Sequence, residues 1–323
     1  MNILSTAENN QSIDGKSGFV VVVGRPSAGK STLINAVCGE KVSIVSSVPQ
    51  TTRNTIRGIL TEARGQLVFL DTPGFHQATK KMNLRLRGLV LEHIHEADAL
   101  LYLIDSTRPP GPEEDEIATV VSSAKVPKVC IVTKCDAPDA KPELAEAFLV
   151  SRGLTPLLRL SNMHQEPANT GGSGETRSTE SLMTLLSVLF ETVPAGHPFY
   201  PPEYYTDQDP SFRIAEILRE AAILNTSQEV PHSIFVEVAD LEAAGYDDDG
   251  QPTRVWARCF IFVERESQKG IVVGKEGKNI KRIRSFAERR LKEIFDYRIE
   301  LKLQVKVRSK WRQSDKILGD LLH

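Results

Sequence analysis

The stretch GFVVVVGRPSAGKSTLINAVCG, residues 18–39, decides the fold. Its run of valines makes a strand apolar on both faces, the pattern of a parallel sheet covered by helices on either side. GKSTLINAVCG reads as the helix that follows. Between them Gly24-Arg25-Pro26-Ser27-Ala28-Gly29-Lys30-Ser31 fits GxxxxGK[ST] in the strand–loop–helix context that this pattern requires. The residue types explain the chemistry. Gly29 lets successive backbone N–H groups point inward at phosphate oxygens, and the helix starting there turns its positive end toward the same anions. Lys30 is expected to reach the β- and γ-phosphates, Ser31 to ligate Mg²⁺, and Thr32 to bond the α-phosphate. Residues 24–32 therefore read as a cradle for a nucleotide polyphosphate.

Outward from this stretch the alternation continues. IRGILTEA, LVFLDTPG, ALLYLIDST, KVCIVTKCD and TPLLRLS read as strands. LRGLVLEHIHEAD, a segment near 113–124 and ESLMTLLSVLFETV read as helices. The expected fold class is an α/β P-loop domain, mostly parallel, with helices on both faces. Asp71 follows an apolar strand, as a carboxylate must to reach a Mg²⁺ shell through water, and Gly74 is placed to offer its N–H to a γ-phosphate. In VPQTTRNT a flexible loop could carry Thr52 onto Mg²⁺; on the residues alone, Thr51 and Thr52 read equally as a β-propensity pair leading into the strand at Arg57. NMHQEPANTGGSGETRST, within 162–180, reads as a polar surface loop of unassigned role, and residues 1–17 as a disordered leader.

VPAGHPFYPPEYYTDQDP, with five prolines and four aromatics, suits an interdomain linker packed on its neighbours. Beyond it the pattern changes to a smaller α+β unit. SFRIAEILREAAILN is a helix, SIFVEVADLEA and TRVWARCFIFVERE are antiparallel strands, GIVV is a strand, and NIKRIRSFAERRLKEIFD is a basic helix. IELKLQVKV alternates apolar and polar residues as a half-buried strand. The expected boundaries are a nucleotide domain at 18–193, a linker at 194–206 and a second domain at 207–323. The net charge of −2 hides an asymmetry: residues 267–316 hold sixteen Lys and Arg against six Asp and Glu. That excess fits either a polyanion partner or a solvated helix face. Four scattered cysteines, without a CxxC pair, read as thiols of a reducing compartment, and no apolar run approaches a membrane span.

Taken in order, GRPSAGKSTLINAVCG, PQTTRNTIRGI, DTPGF, TKCD, YPPEYYTDQ and IVVGKEGKNIKRIR resemble the translation-factor-related GTPases, and most closely the Era family of ribosome-assembly GTPases. The resemblance runs from about residue 18 to the end. A single P-loop separates it from a related family with two GTPase domains. It implies a GTPase domain followed by an RNA-binding KH domain, with GTP as substrate, GDP as product and Mg²⁺ as cofactor. Asp136 would accept hydrogen bonds from guanine N1–H and the exocyclic amine. Lys134 would lie over the base plane and tie its loop to the P-loop. Thr133 replaces the family's asparagine, so guanine selection is expected to be kept with affinity lowered. Ser161, with Asn162, matches the position where a backbone N–H meets guanine O6.

Two departures concern turnover. Ser27 stands where potassium-stimulated relatives carry asparagine, which speaks against a K⁺ requirement. Phe75 follows DTPG where Ras-like proteins carry a catalytic glutamine; no residue is assigned as catalytic, and slow intrinsic hydrolysis is expected. In the KH domain, Gly274-Lys275-Glu276-Gly277 forms the GxxG turn that brings backbone close to nucleic acid beside a groove for about four bases. Lys275, Lys278, Lys281 and Arg282 supply the electrostatic contact, with Glu276 expected to point outward. The resemblance implies a partner, the 3′ end of small-subunit ribosomal RNA in the immature 30S subunit. It also implies a cytoplasmic monomer with at most peripheral contact with the inner membrane. The rival readings are an RNA-binding assembly factor whose nucleotide site does not turn over, and an adenine-using P-loop ATPase.

Overall fold

The structure, a computed structural model, describes residues 15–46, 48, 51–74, 81–161, 173–227 and 230–321. Strand β1 (Lys16–Gly24) lies at the centre of a sheet ordered β2-β3-β1-β4-β5-β6, with β2 (Ile56–Glu62), β3 (Gly65–Asp71), β4 (Ala99–Asp105), β5 (Lys128–Thr133) and β6 (Pro156–Arg159). All neighbours are parallel except β2 with β3, which pair antiparallel. The valine run explains itself here. Val20 and Val22 pack into one apolar layer with α1 (Lys30–Cys38), while Val21 and Val23 enter the opposite layer with α2 (Lys81–Glu96) and α3 (Pro112–Ser123). Both layers exclude water, so no polar alternation is needed. α4 (Pro142–Ser151), which the sequence reading passed over, joins the second layer through Ala145 and Leu149.

Two expectations in this region change. β1 begins at Lys16, two residues inside the expected leader, because the Lys16 and Ser17 amides donate to Arg64 O and Pro194 O; residues 1–14 lie outside the described residues. The closing helix α5 (Ser173–Thr192) reaches back into the expected 162–180 loop. Once Leu185, Leu186 and Leu189 anchor its C-terminal half in the core, each further N-terminal residue adds a hydrogen bond without a new nucleus.

Because β1, β3, β4 and β5 run parallel, their C-terminal ends bring Gly24, Asp71, Asp105 and Thr133 to one edge of the sheet. That edge is where open α/β sheets bind ligands. After the sheet, the aromatic segment runs along β2 and β3. Gln66 holds it, its Oε1 accepting from the Phe199 and Tyr200 amides and its Nε2 donating to Tyr200 O.

The second sheet, ordered β7-β8-β9, has β7 (Phe235–Tyr246) antiparallel to β8 (Pro252–Val263) and β9 (Arg298–Val307) parallel to β8. α6 (Pro210–Leu224), α8 (Glu266–Val273) and α9 (Lys278–Ile294) cover one face, where Ala257, Cys259 and Ile261 are buried. α7 (Val230–Ser233) is a single turn before β7, and α10 (Asp315–Leu321) follows β9.

GIVV, read as a strand, is the last turn of helix α8. Its β-branched residues suggest a strand locally, but the buried positions Gln268 and Val272 are four apart, which is a helical face. The Gln268 side chain also caps the helix, accepting from the Glu264 and Arg265 amides. Among the described residues no helix is long and apolar enough to cross a membrane.

Candidate functional site

The loop edge of the first sheet opens into a pocket of about 380 Å³. Pro26, Ser27, Gly29, Lys30, Ser31 and Thr32 form its phosphate end, with Thr52 and Gly74; Lys134, Asp136, Ala137, Leu160 and Ser161 form the other end. Gly24, Arg25, Ala28, Asp71 and Thr133 stand behind the lining rather than in it. Phe75 and Asn162 lie outside the described residues.

The P-loop turns because Gly24, Ser27 and Gly29 all adopt positive φ. At Gly24 a Cβ would stand 2.5 Å from Leu103 O, so β4 itself forbids a side chain there. Lys30 folds back, donating to Gly24 O and Arg25 O at 3.1 Å each. Burial brings its pKa down to about 8 against the opposing pull of the Asp71 and Glu114 carboxylates. Arg25 points away from the pocket, its guanidinium on Glu113, Glu114 and Pro109 O. Only its backbone belongs to the cradle.

The Ser31 and Thr52 hydroxyls lie 3.0 Å apart. Asp71 is fully buried beside Ser31, and neither of its carboxylate oxygens makes a well-formed hydrogen bond. Burial raises its pKa, with the Lys30 ammonium and then the nearby Ser31 and Ser43 hydroxyls pulling the other way. An orphaned carboxylate beside two hydroxyls is an all-oxygen donor set, the kind a hard divalent cation takes. Gly74 packs on the loop so tightly that a Cβ would stand 2.7 Å from Pro26.

At the base end, Thr133 is buried at the end of β5, and its hydroxyl donates to Ala28 O at 2.9 Å and Ile104 O at 3.2 Å. The threonine therefore takes over the tie to the P-loop that was expected of Lys134. Lys134 turns instead to Asp105, Nζ to Oδ2 at 2.7 Å, from a left-handed backbone (φ 59°). Asp136 is exposed at the rim rather than buried, so only a bound base could take it out of water.

In the second domain the GxxG turn lies between α8 and α9. Gly274 and Gly277 have φ of 71° and 72°. The Asn279 side chain fixes the turn by donating to Ile271 O and Asn225 O, each at 3.1 Å. Lys275, Lys278, Lys281 and Arg282 are all exposed around it. Glu276 also faces solvent, with its carboxylate 3.3 Å from Lys278 Nζ. Such an exposed pair is worth little, so it leaves the lysine open to competition from phosphate.

The sequence reading missed the interdomain contacts to the segment before β2. Glu220 Oε1 accepts from Lys41 Nζ and the Val45 amide, Arg219 donates to Thr51 O, and Arg53 donates to Ile234 O and His232 O. No local pattern joins residues so far apart in the chain.

A sequence model of the family described as 50S ribosome-binding GTPase matches residues 19–134, and a KH domain model matches residues 229–312. GTPase Era of Treponema denticola is 43% identical over 302 residues, covering 94% of this chain and 98% of that protein. GTPase Era of Borreliella burgdorferi is 39% identical over 308 residues, covering 95% and 100%. Aquifex aeolicus Era Y63A, solved with GDP and AlF₄⁻, superposes with a TM-score of 0.81 at 29% identity over 94% of this chain and 98% of that one. An Era solved with MgGDPNP and nucleotides 1506–1542 of 16S ribosomal RNA superposes at 0.82, with the same identity and coverage. A P-loop sheet, a KH domain behind it and identity along nearly the whole chain lead to one conclusion: the chain belongs to the Era family of GTPases.

Proposed function

We propose that this GTPase binds the 3′ end of small-subunit (16S) ribosomal RNA through its KH domain and acts as a guanine-nucleotide switch in assembly of the 30S subunit. The observation that carries the switch reading is the convergence of Ser31, Thr52 and the orphaned Asp71 carboxylate at the phosphate end of the pocket. Mg²⁺ held there neutralises charge on the β- and γ-phosphates. The chain's own residues do the rest. Lys30 leaves its two carbonyls for the phosphate oxygens, the P-loop N–H groups cradle the anion, and Gly74 presents its N–H to the γ-phosphate. Loss of that phosphate releases Gly74 and Thr52 together, which is the switching event. Asp136 selects guanine, because an adenine lacks the paired donors that would satisfy its carboxylate.

The RNA half rests on the exposed cations around a backbone turn held open by two positive-φ glycines and on the RNA-bound relative. In this division residues 16–193 handle nucleotide, 194–206 link and 207–323 handle RNA. The protein works as a cytoplasmic monomer, any contact with the inner membrane is peripheral, and Ser27 in place of asparagine argues against a K⁺ requirement.

Single-turnover hydrolysis of GTP, measured with and without 30S particles and a 16S 3′-end oligonucleotide, tests the reading. Slow phosphate release that changes with RNA is the expected result. Release in neither condition would establish instead a binding module with an inert nucleotide site.

A further inference from the structure

Thr52 is held from the second domain. On its N-terminal side, Arg219 of α6 donates from Nη2 to Thr51 O at 2.5 Å. On its C-terminal side, the Arg53 guanidinium enters a socket in the KH domain, donating to Ile234 O at 2.7 Å and His232 O at 3.3 Å. The wall of that socket is the Trp311 ring, 5.3 Å from the guanidinium, itself fixed by Nε1 donating to Ser233 O. Upstream, Glu220 accepts from the Val45 amide at 2.8 Å and from Lys41 Nζ at 2.7 Å. Thr52, between two of these grips, has its hydroxyl 3.0 Å from that of Ser31.

Stability alone does not account for this arrangement. Arg53 and Arg219 are both buried, and each carries a nitrogen, Nε and Nη1 respectively, without a hydrogen-bond partner. Burial, and then the neighbouring Arg219 charge, push the Arg53 pKa down to about 9, with Glu216 opposing. Arg219 is also paired with Glu216, Nε to Oε1 at 2.7 Å and Nη2 to Oε2 at 2.6 Å, whereas Arg53 spends its donors on neutral carbonyl groups, which offsets little of the cost of burying a charge. What a methionine could not do is grip carbonyl groups.

α6 also reaches the RNA turn. Its C-terminal neighbour Asn225 accepts, through its carbonyl, from Asn279 at the start of α9, directly after GxxG. The C-terminal turns of α6 thus touch both places, the backbone beside Thr52 through Arg219 and, at the helix's C-cap Asn225, the turn beside Gly274. We propose that Arg53 and Arg219 are positioning residues by which the KH domain holds Thr52 at the Mg²⁺ end of the nucleotide site, and that α6 carries RNA occupancy to that grip. The proposal rests on the reading of Thr52 as a residue of the GTP-bound site. It adds a physical route, two gripped carbonyl contacts and a rigid helix, to the expected coupling of the two ligands.

The test uses the full chain with Arg53→Met, Arg219→Gln paired with Glu216→Gln, Thr52→Ala and the double variant Thr52→Ala/Arg53→Met. Four readouts are taken: thermal unfolding, GDP affinity, affinity for GDPNP with and without Mg²⁺, and the change in that affinity on adding a 16S 3′-end oligonucleotide. Arg53→Met is expected to lower the unfolding temperature by no more than a few degrees, through the carbonyl groups left without their donor, and to keep GDP affinity within about twofold, while Mg²⁺-dependent GDPNP affinity falls about tenfold to a hundredfold, as for lost charged hydrogen bonds. The double variant is expected to match Thr52→Ala alone, and the response to RNA to disappear. The paired substitution Arg219→Gln with Glu216→Gln, which removes the buried ion pair whole, is expected to repeat the pattern and carries the test if Arg53→Met does not fold.

Normal Mg²⁺–GDPNP binding in both arginine variants, or losses that add to that of Thr52→Ala, would overturn the proposal. So would a parallel fall in GDP affinity and unfolding temperature, which marks a structural role. If Thr52→Ala itself binds Mg²⁺–GDPNP normally, the fault lies in the assignment of Thr52; impairment there with normal arginine variants places it in the grip.

Discussion

Replacing Thr133 with valine removes one hydroxyl and leaves shape and volume almost unchanged. In the structure that hydroxyl donates to Ala28 O in the P-loop at 2.9 Å and to Ile104 O in β4 at 3.2 Å, and the residue is fully buried. The variant therefore leaves buried carbonyl groups without this donor and opens no hole for water. A neutral hydrogen bond lost in this way costs about 1–3 kcal/mol, because the surviving partner keeps its desolvation penalty. The cost falls on the joint between the base loop and the phosphate loop, so it divides between folding and nucleotide binding. Thr133→Val is expected to weaken GDP by about fivefold to thirtyfold, the equivalent of about 1–2 kcal/mol, mainly through faster dissociation. The unfolding temperature should fall by about 2–4 °C for each kcal/mol that remains in the unliganded protein. Fluorescent GDP displacement in a stopped-flow instrument, with calorimetric unfolding alongside, measures both parts. Affinity within twofold of the parent together with an unchanged unfolding temperature would refute the reasoning and leave Thr133 a space-filling residue.

Asp136→Asn is expected to turn the preference from guanine toward xanthine nucleotides by about a hundredfold or more, since the site then offers a donor where it offered acceptors; competition between GTP, XTP and ATP measures it, and an unmoved preference would revive the adenine-using alternative. Gly274→Ala places a methyl 2.7 Å from Asn279 Cβ at a φ of 71°. The strained turn, at φ 71° and ψ 168° where essentially only glycine rests, costs about 1–3 kcal/mol in backbone terms alone and should weaken binding of a 16S 3′-end oligonucleotide at least tenfold in an anisotropy titration while GDP affinity stays level.

The nucleotide pocket was legible in the sequence to the extent that its pieces are contiguous. A P-loop makes its anion cradle from the backbone of neighbouring residues, so Gly24 to Thr32 carry their geometry with them, and the valine run before them needs only the rule that a strand buried on both faces is apolar throughout. TKCD and GxxG were readable for the same reason. The directions of single side chains were not. Arg25 belongs to the P-loop in sequence yet spends its guanidinium on Glu113 and Glu114, and Thr133 rather than Lys134 makes the tie to Ala28.

Local preference also misjudged GIVV, where β-branched residues lie in a helix because Gln268 caps it and Val272 faces the core, and it missed the extension of α5 into a polar segment. The sequence by itself determined the class of fold, the order of its two domains, the P-loop and the GxxG turn, all of them short-range properties of the chain. Only the tertiary structure decided that Thr52 stands beside Ser31 and that Arg53 and Arg219 grip the backbone around it. Those contacts join residues as much as 181 positions apart, and they exist because both domains bury their facing surfaces against the same segment, which no periodicity within that segment records.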